Sequence, residues 1–103
     1  MILDTSAVVA ILRNEPEARC FERIIEAAPC RRISAASYLE AACVIDAAKD
    51  PVVSRRLDDF LREAECVVEA VTERQAVLAR QAYRDYGKGS GHAAQLNFGD
   101  CFA

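Results

Sequence analysis

The sequence predicts an α/β fold in which a parallel sheet is flanked by helices. Three short apolar segments are typical of strands: residues 1–3, the segment around Ile33, and residues 66–71. Stretches with helical spacing of apolar residues separate these segments, and strands that alternate with helices indicate parallel pairing. The chain has 103 residues, a length that corresponds to one domain, so we expect residues 1–103 to form a single unit.

Two helices are expected between the first two strands. A short helix covers residues 7–13, and a second covers residues 17–28 with Pro16 tolerated in its first turn. Apolar residues of the second helix recur at spacings of three and four, which provides one face for burial. This face comprises Cys20, Phe21, Ile24, Ile25 and Ala28.

Recognisable cap residues mark the later helices. Ser37 is expected to begin a helix that ends near Lys49. Asp50 caps the next helix, in which a proline occupies the first position. The buried face of that helix comprises Val53, Leu57, Phe60, Leu61 and Ala64. Thr72 is expected to cap a further helix, with Gln75 at the capping-box position.

The composition favours a soluble globular domain, because 52% of the residues are hydrophobic and 28% are charged. The net charge of -3 disfavours a protein held on duplex nucleic acid by many phosphate contacts. The longest uncharged apolar runs fall far short of the ~20 residues of a membrane span, and the N-terminus lacks the basic start of an export signal. We therefore expect a cytoplasmic protein with no membrane association.

The five cysteines are predicted to be reduced thiols. They are odd in number, widely spaced and without a C-x-x-C pair, and the chain has one histidine. These spacings do not suit a structural zinc site, which usually needs closer pairs of ligands. Thiols that serve as small apolar side chains agree with a cytoplasmic location.

Arginine supplies eleven of the thirteen positive charges, so transient RNA contact by a few arginines is allowed. Arg13, Arg31 and Arg32 lie near predicted element ends. They are therefore candidates for lining an RNA groove.

Asp4 is the first carboxylate to consider for a functional role. It directly follows the first strand, and ligands of open parallel sheets bind beyond the carboxyl ends of the strands. The structural alternative is that Asp4 is the N-cap of the next helix. Thr5 or Ser6 could cap that helix equally well, which would leave Asp4 free.

Glu40 and Asp100 also have structural alternatives. Glu40 lies three residues after Ser37, so it could complete a capping box with that serine. Asp100 lies three residues after Asn97 and could be a favourable charge in the first turn of a helix. Taken one at a time, all three carboxylates are explained better by these structural roles than by chemistry.

Five segments, when they are considered together, favour a functional role for these carboxylates over a structural one. In chain order they are I-L-D-T-S-A-V-V-A-I-L at residues 2–12, E-P-E-A at 15–18, I-S-A-A-S-Y-L-E-A at 33–41, Y-G-K-G at 86–89 and L-N-F-G-D-C-F-A at 96–103. They resemble the motifs of PIN-domain ribonucleases, and most closely those of VapC-type toxins of type II toxin–antitoxin modules. The resemblance covers the whole chain, and the last segment is its most specific part.

The resemblance implies a metal-dependent endoribonuclease toxin with Mg²⁺ or Mn²⁺ as cofactor. Asp4, Glu40 and Asp100 would be the catalytic and metal-binding residues. Thr5 and Ser6 would bind the substrate at a phosphate oxygen or hold a ligand carboxylate. Such hard cations prefer oxygen ligands, and they activate water and neutralise phosphate charge during phosphodiester hydrolysis. The implied partners are an RNA substrate, a cognate antitoxin and a second copy of the chain in a homodimer.

The family normally continues beyond the last of these segments. It adds the rest of a helix, a strand with a further acidic residue and a final short strand, and none of these has a counterpart in residues 1–103. We therefore expect a PIN-like domain that is shortened at its C-terminus and lacks the last strands of the family fold. Such a chain is expected to be weakly active or inactive by itself.

Other functions remain as alternatives. An inactive PIN-like fragment would act only in partner binding. A phosphatase of the haloacid dehalogenase type also places an Asp after its first strand, but it needs a second Asp where this chain has Ser6. A receiver-like signalling domain needs an acidic pair and a later phosphoacceptor, which we do not find.

Overall fold

The structure is a computed structural model that describes residues 1–86. Its elements run in the order α1 (Thr5–Leu12), α2 (Ala18–Ala27), β1 (Arg32–Ser34), α3 (Ala35–Asp46), α4 (Pro51–Glu63), β2 (Val67–Glu69) and α5 (Glu73–Tyr86). The predicted alternation of strand segments and helices is confirmed, and with it the α/β fold class. Among these helices, none has the length and apolar character that crossing a membrane requires.

The described sheet is parallel, and β1 lies at its centre. β1 pairs with β2 in the register Arg32 with Val67, Ile33 with Val68 and Ser34 with Glu69. On the other side of β1, Ile2 forms a parallel bridge with Arg32. The Arg32 N–H donates to the Met1 carbonyl at 2.9 Å, and the Leu3 N–H donates to the Arg32 carbonyl at 2.7 Å. Because these segments run in the same direction, their carboxyl ends meet at one edge of the sheet.

The hydrophobic core lies between one face of the sheet and helices α1 to α4. From the sheet, Leu3 and Ile33 enter this core and are 3% and 0% exposed. The helices contribute Val8, Ile11, Leu12, Ile25, Ala41, Ile45, Leu57 and Leu61. The predicted apolar face of α4 is confirmed, whereas α2 buries only part of its predicted face and leaves Ile24 exposed.

β2 is shorter than the sequence predicts. Residues 66–71 predict a strand, but β2 has three residues, and Val67 and Val68 are 57% and 45% exposed. The ladder with β1 ends at Ser34, because that residue leaves the sheet to begin α3. Pairing with β1 therefore limits the length of β2.

The start of α3 also differs from the prediction. α3 begins at Ala35, and its N-cap is Ser34 rather than Ser37. The Ser34 Oγ accepts a hydrogen bond from the Ser37 backbone N–H at 3.0 Å. The prediction of Ser37 as the start is wrong because the chain turns directly from β1 into the helix, so the serine that ends the strand becomes the cap. The helix ends at Asp46, and Lys49 adopts left-handed backbone with φ of 53°.

Two other predicted caps are confirmed. The Asp50 side chain accepts a hydrogen bond from the Val52 N–H at 3.0 Å, with Pro51 as the first residue of α4. Thr72 and Gln75 form a reciprocal capping box before α5. The Gln75 N–H donates to Thr72 Oγ1 at 3.1 Å, and the Thr72 N–H donates to Gln75 Oε1 at 3.0 Å.

Arg31 holds the C-terminal ends of two helices together. Its Nε and Nη2 donate to the carbonyls of Ile25 and Glu26 at 2.7 and 3.0 Å, at the end of α2. Its Nη1 donates to the Ala64 carbonyl at 2.8 Å, directly after α4. A guanidinium at two negative helix ends is electrostatically favourable. These contacts give Arg31 a structural role, because its Nε, Nη1 and Nη2 all donate to backbone carbonyls.

Candidate active site

Two helix N-termini meet at the carboxyl edge of the sheet. Residues 1–3 lead directly into α1, which Asp4 caps, and β1 leads directly into α3, which Ser34 caps. Because the two strand segments are parallel neighbours, both turns lie at the same edge. The N-terminus of a helix attracts negative charge, and ligands of parallel sheets bind at this edge. At this edge of the sheet, where Asp4 is expected to have a functional role, the structure thus places a second helix N-terminus.

Asp4 is the N-cap of α1. Its Oδ1 accepts hydrogen bonds from the Ala7 N–H at 2.8 Å and from the Ser6 hydroxyl at 2.9 Å. The alternative in which Thr5 or Ser6 caps the helix and leaves Asp4 free is therefore wrong. Within residues 1–86, the second oxygen of Asp4 makes no hydrogen bond. Capping thus engages one carboxylate oxygen and leaves the other available.

Glu40 lies on α3, one helical turn after Ser37, and is half-buried. The capping-box explanation of Glu40 fails, because Ser37 is not the N-cap and gives its own N–H to Ser34. Among the described residues, the Glu40 carboxylate takes part in no ion pair. The structure therefore removes the main structural explanation for this acidic residue.

Thr5 connects the two helix starts. Its Oγ1 donates to the Ser37 backbone carbonyl at 3.3 Å, and the two residues are 8% and 1% exposed. Asp4 directly precedes Thr5, and Glu40 follows Ser37 by one turn. The contact therefore joins the helix starts that carry two of the three predicted site residues. The Thr5 hydroxyl faces the protein interior here, whereas Ser6 is exposed.

Asp100, the third predicted site residue, lies outside the described residues 1–86. Within that range, no group of three or more His, Cys, Asp or Glu side chains is arranged to hold a metal ion. Asp4 and Glu40 supply oxygen donors only, and one Asp4 oxygen is uncommitted. This donor chemistry fits hard cations such as Mg²⁺ or Mn²⁺, which keep several waters and take few protein ligands.

A shallow apolar groove lies beside Asp4, which the sequence patterns did not reveal. It has a volume of about 90 Å³ and lies between residues 1–4 and the apolar side chains of α1 and α2. Its helical lining comprises Ala7, Phe21, Ile24 and Ile25. The helical spacing of Phe21 and Ile24 predicts burial in the core, but it does not distinguish the core from a groove at its margin.

The other two arginines considered for an RNA groove, Arg13 and Arg32, lie in surroundings that differ from those of Asp4. Arg13 is the C-cap of α1, at the opposite end of the helix from Asp4, a distance of roughly 14 Å at 1.5 Å per residue. Arg32 forms an ion pair with Glu69 at 3.4 Å, with about half of each side chain exposed. Arg32 also lines a groove of about 290 Å³ between the open sheet face and α5.

The four cysteines within residues 1–86 form no disulfide with one another. Cys20, Cys30 and Cys43 are exposed, and Cys66 is half-buried. Burial raises the pKa of the Cys66 thiol, and the nearby Arg31 guanidinium partly opposes that rise. The fifth cysteine, Cys101, lies outside the described residues.

Comparison with known proteins connects this geometry to a family. The family model described as PIN domain matches residues 1–103. Over 103 residues, the chain is 59% identical to VapC ribonuclease Mb0625 of Mycobacterium bovis and to ribonuclease VapC28 of Mycobacterium tuberculosis, covering 100% of this chain and 77% of each relative. It is 50% identical to ribonuclease VapC30 of Mycobacterium tuberculosis, covering 100% of this chain and 78% of that protein. These matches confirm the predicted PIN-like fold class, and the chain belongs to the PIN domain family as a VapC-type member.

Proposed function

We propose that the chain is a divalent-metal-dependent endoribonuclease toxin that a cognate antitoxin neutralises. The observation that carries the proposal is the 59% identity to named ribonucleases over all 103 residues. The location of Asp4 supports it, because this carboxylate lies at the edge where parallel sheets bind ligands and keeps one oxygen free of hydrogen bonds within residues 1–86.

Asp4, Glu40 and Asp100 are the proposed catalytic residues and the proposed ligands of Mg²⁺ or Mn²⁺. When bound, such an ion would neutralise charge on the scissile phosphate and make water a stronger nucleophile. Asp4 would contribute the oxygen that does not cap α1. Its position is preorganised, because the Ala7 amide and the Ser6 hydroxyl hold the other oxygen.

Glu40 is proposed to orient the attacking water and to accept its proton. A carboxylate suits this role when it is held on a rigid element within reach of the water. The backbone of α3 is rigidly placed, because Ala41 and Ile45 on the same helix are 0% and 1% exposed in the core. Glu40 therefore projects from an element whose other face is fixed by packing.

For the substrate, we propose that Ser6 contacts a phosphate oxygen of the RNA. Its side chain is exposed beside Asp4, and its one hydroxyl hydrogen would turn from the Asp4 carboxylate to the phosphate oxygen when RNA binds. Thr5 was predicted for the same role, but its hydroxyl is directed to the Ser37 carbonyl. Direct contact of Thr5 with RNA would require that hydrogen bond to break.

The proposed partners are an RNA, a cognate antitoxin and a second copy of the chain in a homodimer. The proposed location is the cytoplasm, where thiols such as the four unpaired cysteines of the described part stay reduced. The proposal of an antitoxin rests on the similarity of the whole chain to VapC-type relatives. It does not specify which residues contact the antitoxin.

Cleavage of RNA by the purified chain tests the proposal. We expect a labelled RNA to be cut weakly in the presence of Mn²⁺ or Mg²⁺, because the chain is shortened, with activity lost in EDTA and restored by added metal. The Asp4→Asn variant is the matched control for contaminating ribonuclease. Cleavage that persists both in EDTA and in Asp4→Asn would contradict the proposal.

The same preparation separates the alternatives. Binding of an antitoxin without cleavage of any RNA would favour a PIN-like chain that acts only in partner binding. Metal-dependent release of phosphate from p-nitrophenyl phosphate, without RNA cleavage, would favour a phosphatase. Either outcome would replace the ribonuclease proposal.

A further inference from the structure

We propose that the hydrogen bond between Thr5 and Ser37 is a positioning contact that sets the separation of the Asp4 and Glu40 carboxylates. The inference rests on the proposed function, which makes those carboxylates the site residues. It gives Thr5 an indirect role instead of the direct substrate contact that the family resemblance implies.

The contact is buried and joins distant parts of the chain. The Thr5 Oγ1 lies 3.3 Å from the Ser37 carbonyl oxygen, across 32 positions of sequence. Thr5 is the first residue of α1, and Ser37 lies in the first turn of α3. At 8% and 1% exposure, the two residues are shielded from water that would otherwise compete for this hydrogen bond.

The Thr5 hydroxyl is not needed to satisfy the Ser37 carbonyl. That carbonyl lies inside α3, where the regular helical pattern gives it the Ala41 N–H as donor. A valine would fill nearly the same volume as Thr5 without bringing a hydroxyl into the core. The hydroxyl instead restricts how α1 can move against α3. A hydrogen bond limits both the distance and the angle between its groups, whereas apolar packing lets two helices shift along each other.

Each end of the contact is tightly connected to one site carboxylate. Asp4 directly precedes Thr5, and its side chain is held by the Ala7 N–H and the Ser6 hydroxyl of the same helix turn. Glu40 follows Ser37 by three residues on a continuous helix, which places the two on one face. A shift of α1 against α3 therefore moves one carboxylate relative to the other.

Such a shift matters because site geometry tolerates little error. Catalytic groups need to be held within about 0.5 Å of their productive positions, and a displacement of about 1 Å can reduce a rate by about a hundredfold. Ser37 Oγ is itself buried without a hydrogen-bond partner among the described residues. Ser37 therefore contacts Thr5 through its backbone carbonyl and not through its hydroxyl.

The test compares four forms of the full chain: wild type, Thr5→Val, Thr5→Ser and Ser54→Ala. Thr5→Val removes the donor and keeps the volume, whereas Thr5→Ser keeps the donor. Ser54→Ala is the matched control, because it removes a hydrogen bond from α4 to Asp46 at the far end of α3. The measurements are the Mn²⁺ dissociation constant by calorimetry without RNA, and kcat and KM for RNA cleavage.

For Thr5→Val, we expect the Mn²⁺ dissociation constant to rise about tenfold and kcat to fall at least tenfold, with KM changed less than threefold. Thr5→Ser should recover most of both values, and Ser54→Ala should match wild type. Wild-type Mn²⁺ affinity and kcat in Thr5→Val, or no recovery in Thr5→Ser, would overturn the inference. If Thr5→Val does not fold, Thr5→Ala is measured by the same criteria.

The measurements on the wild-type chain distinguish an error in the proposed function from an error in the proposed role of Thr5. A wild-type chain that binds Mn²⁺ but cuts no RNA would contradict the ribonuclease proposal, and the Mn²⁺ constants of the variants would still decide the positioning role. A wild-type chain that binds no Mn²⁺ would overturn both, because there would be no metal geometry for Thr5 to set.

Discussion

The Asp4 carboxylate accepts the Ala7 backbone N–H at 2.8 Å. This hydrogen bond makes Asp4 the N-cap of α1, while the other oxygen of the same carboxylate makes no hydrogen bond within residues 1–86. A structural role and a chemical role are therefore compatible in one side chain. They can also be separated, because capping needs an oxygen acceptor whereas metal binding needs the charge.

The first prediction separates these two roles at Asp4. Asp4→Asn keeps an oxygen acceptor for the Ala7 N–H, so the free energy of unfolding should change by less than about 0.5 kcal/mol, whereas Asp4→Ala should lower it by about 1 kcal/mol. Both variants should lose RNA cleavage by at least about a hundredfold, because both lose the charged ligand. Urea unfolding and a cleavage assay measure these effects. Wild-type cleavage by Asp4→Asn would contradict the proposed role.

The second prediction concerns Glu40. Glu40→Gln should lower kcat for RNA cleavage by about 10²-fold, as expected when a group that accepts a proton is lost. Its stability should stay within about 0.5 kcal/mol of wild type, because no ion pair of the described residues depends on this carboxylate. Glu22→Gln, an exposed change on α2, serves as the control. Equal activity of the two variants would show that Glu40 is not part of the site.

Local signals in the sequence were sufficient for some elements of this fold. The caps at Asp50 and at Thr72 with Gln75 involve residues close together in the chain, and the structure confirms them. The choice of Ser34 over Ser37 as the cap of α3 depends instead on where β1 ends. That point is set by pairing with residues 1–3 and with β2, which sequence-local patterns do not contain.

In the candidate site, too, some features follow from the local sequence and others depend on tertiary packing. The location of Asp4 at a strand end is readable from the apolar residues before it. The contact of Thr5 with Ser37, by contrast, joins residues 32 positions apart. Likewise, Arg31 bonds to carbonyls at the ends of two helices, one of them 33 positions away. Such contacts follow from tertiary packing and leave no periodic signal in the sequence.

The third prediction concerns Arg31. Arg31→Ala should lower the free energy of unfolding by about 2–3 kcal/mol, because it removes three charged hydrogen bonds to the carbonyls at the ends of α2 and α4. Arg32→Ala is the neighbouring control and should lower it by no more than about 1 kcal/mol, since it breaks only a half-exposed ion pair with Glu69. Equal losses in urea unfolding would contradict the proposed role of Arg31 at both helix ends.

The fourth prediction concerns thiol reactivity. Burial raises the pKa of the Cys66 thiol, so near pH 8 a smaller fraction of this thiol is ionised than of a thiol exposed to water. The ionised thiolate is the form that reacts. Iodoacetamide should therefore modify Cys66 more slowly than the exposed Cys20, Cys30 and Cys43, and raising the pH should narrow the gap. Mass spectrometry of timed samples measures the four rates. The difference should vanish in denaturant, and a Cys66 that reacts as fast as the others in the folded chain would contradict the prediction.

The last prediction uses the backbone at the end of α4. Glu65 has a left-handed backbone with φ of 51°, and its N–H donates to the Arg62 carbonyl at 3.0 Å in the turn that ends the helix. This conformation is unfavourable for a residue with a Cβ and is natural for glycine, so Glu65→Gly should raise the free energy of unfolding by about 1 kcal/mol. Arg56→Gly, an exposed change in the middle of α4, should lower it by about 0.5–1 kcal/mol, because glycine weakens regular helix. Urea unfolding of both variants tests this reversal of sign, and a loss of stability in both would show that the left-handed turn carries no strain that glycine relieves.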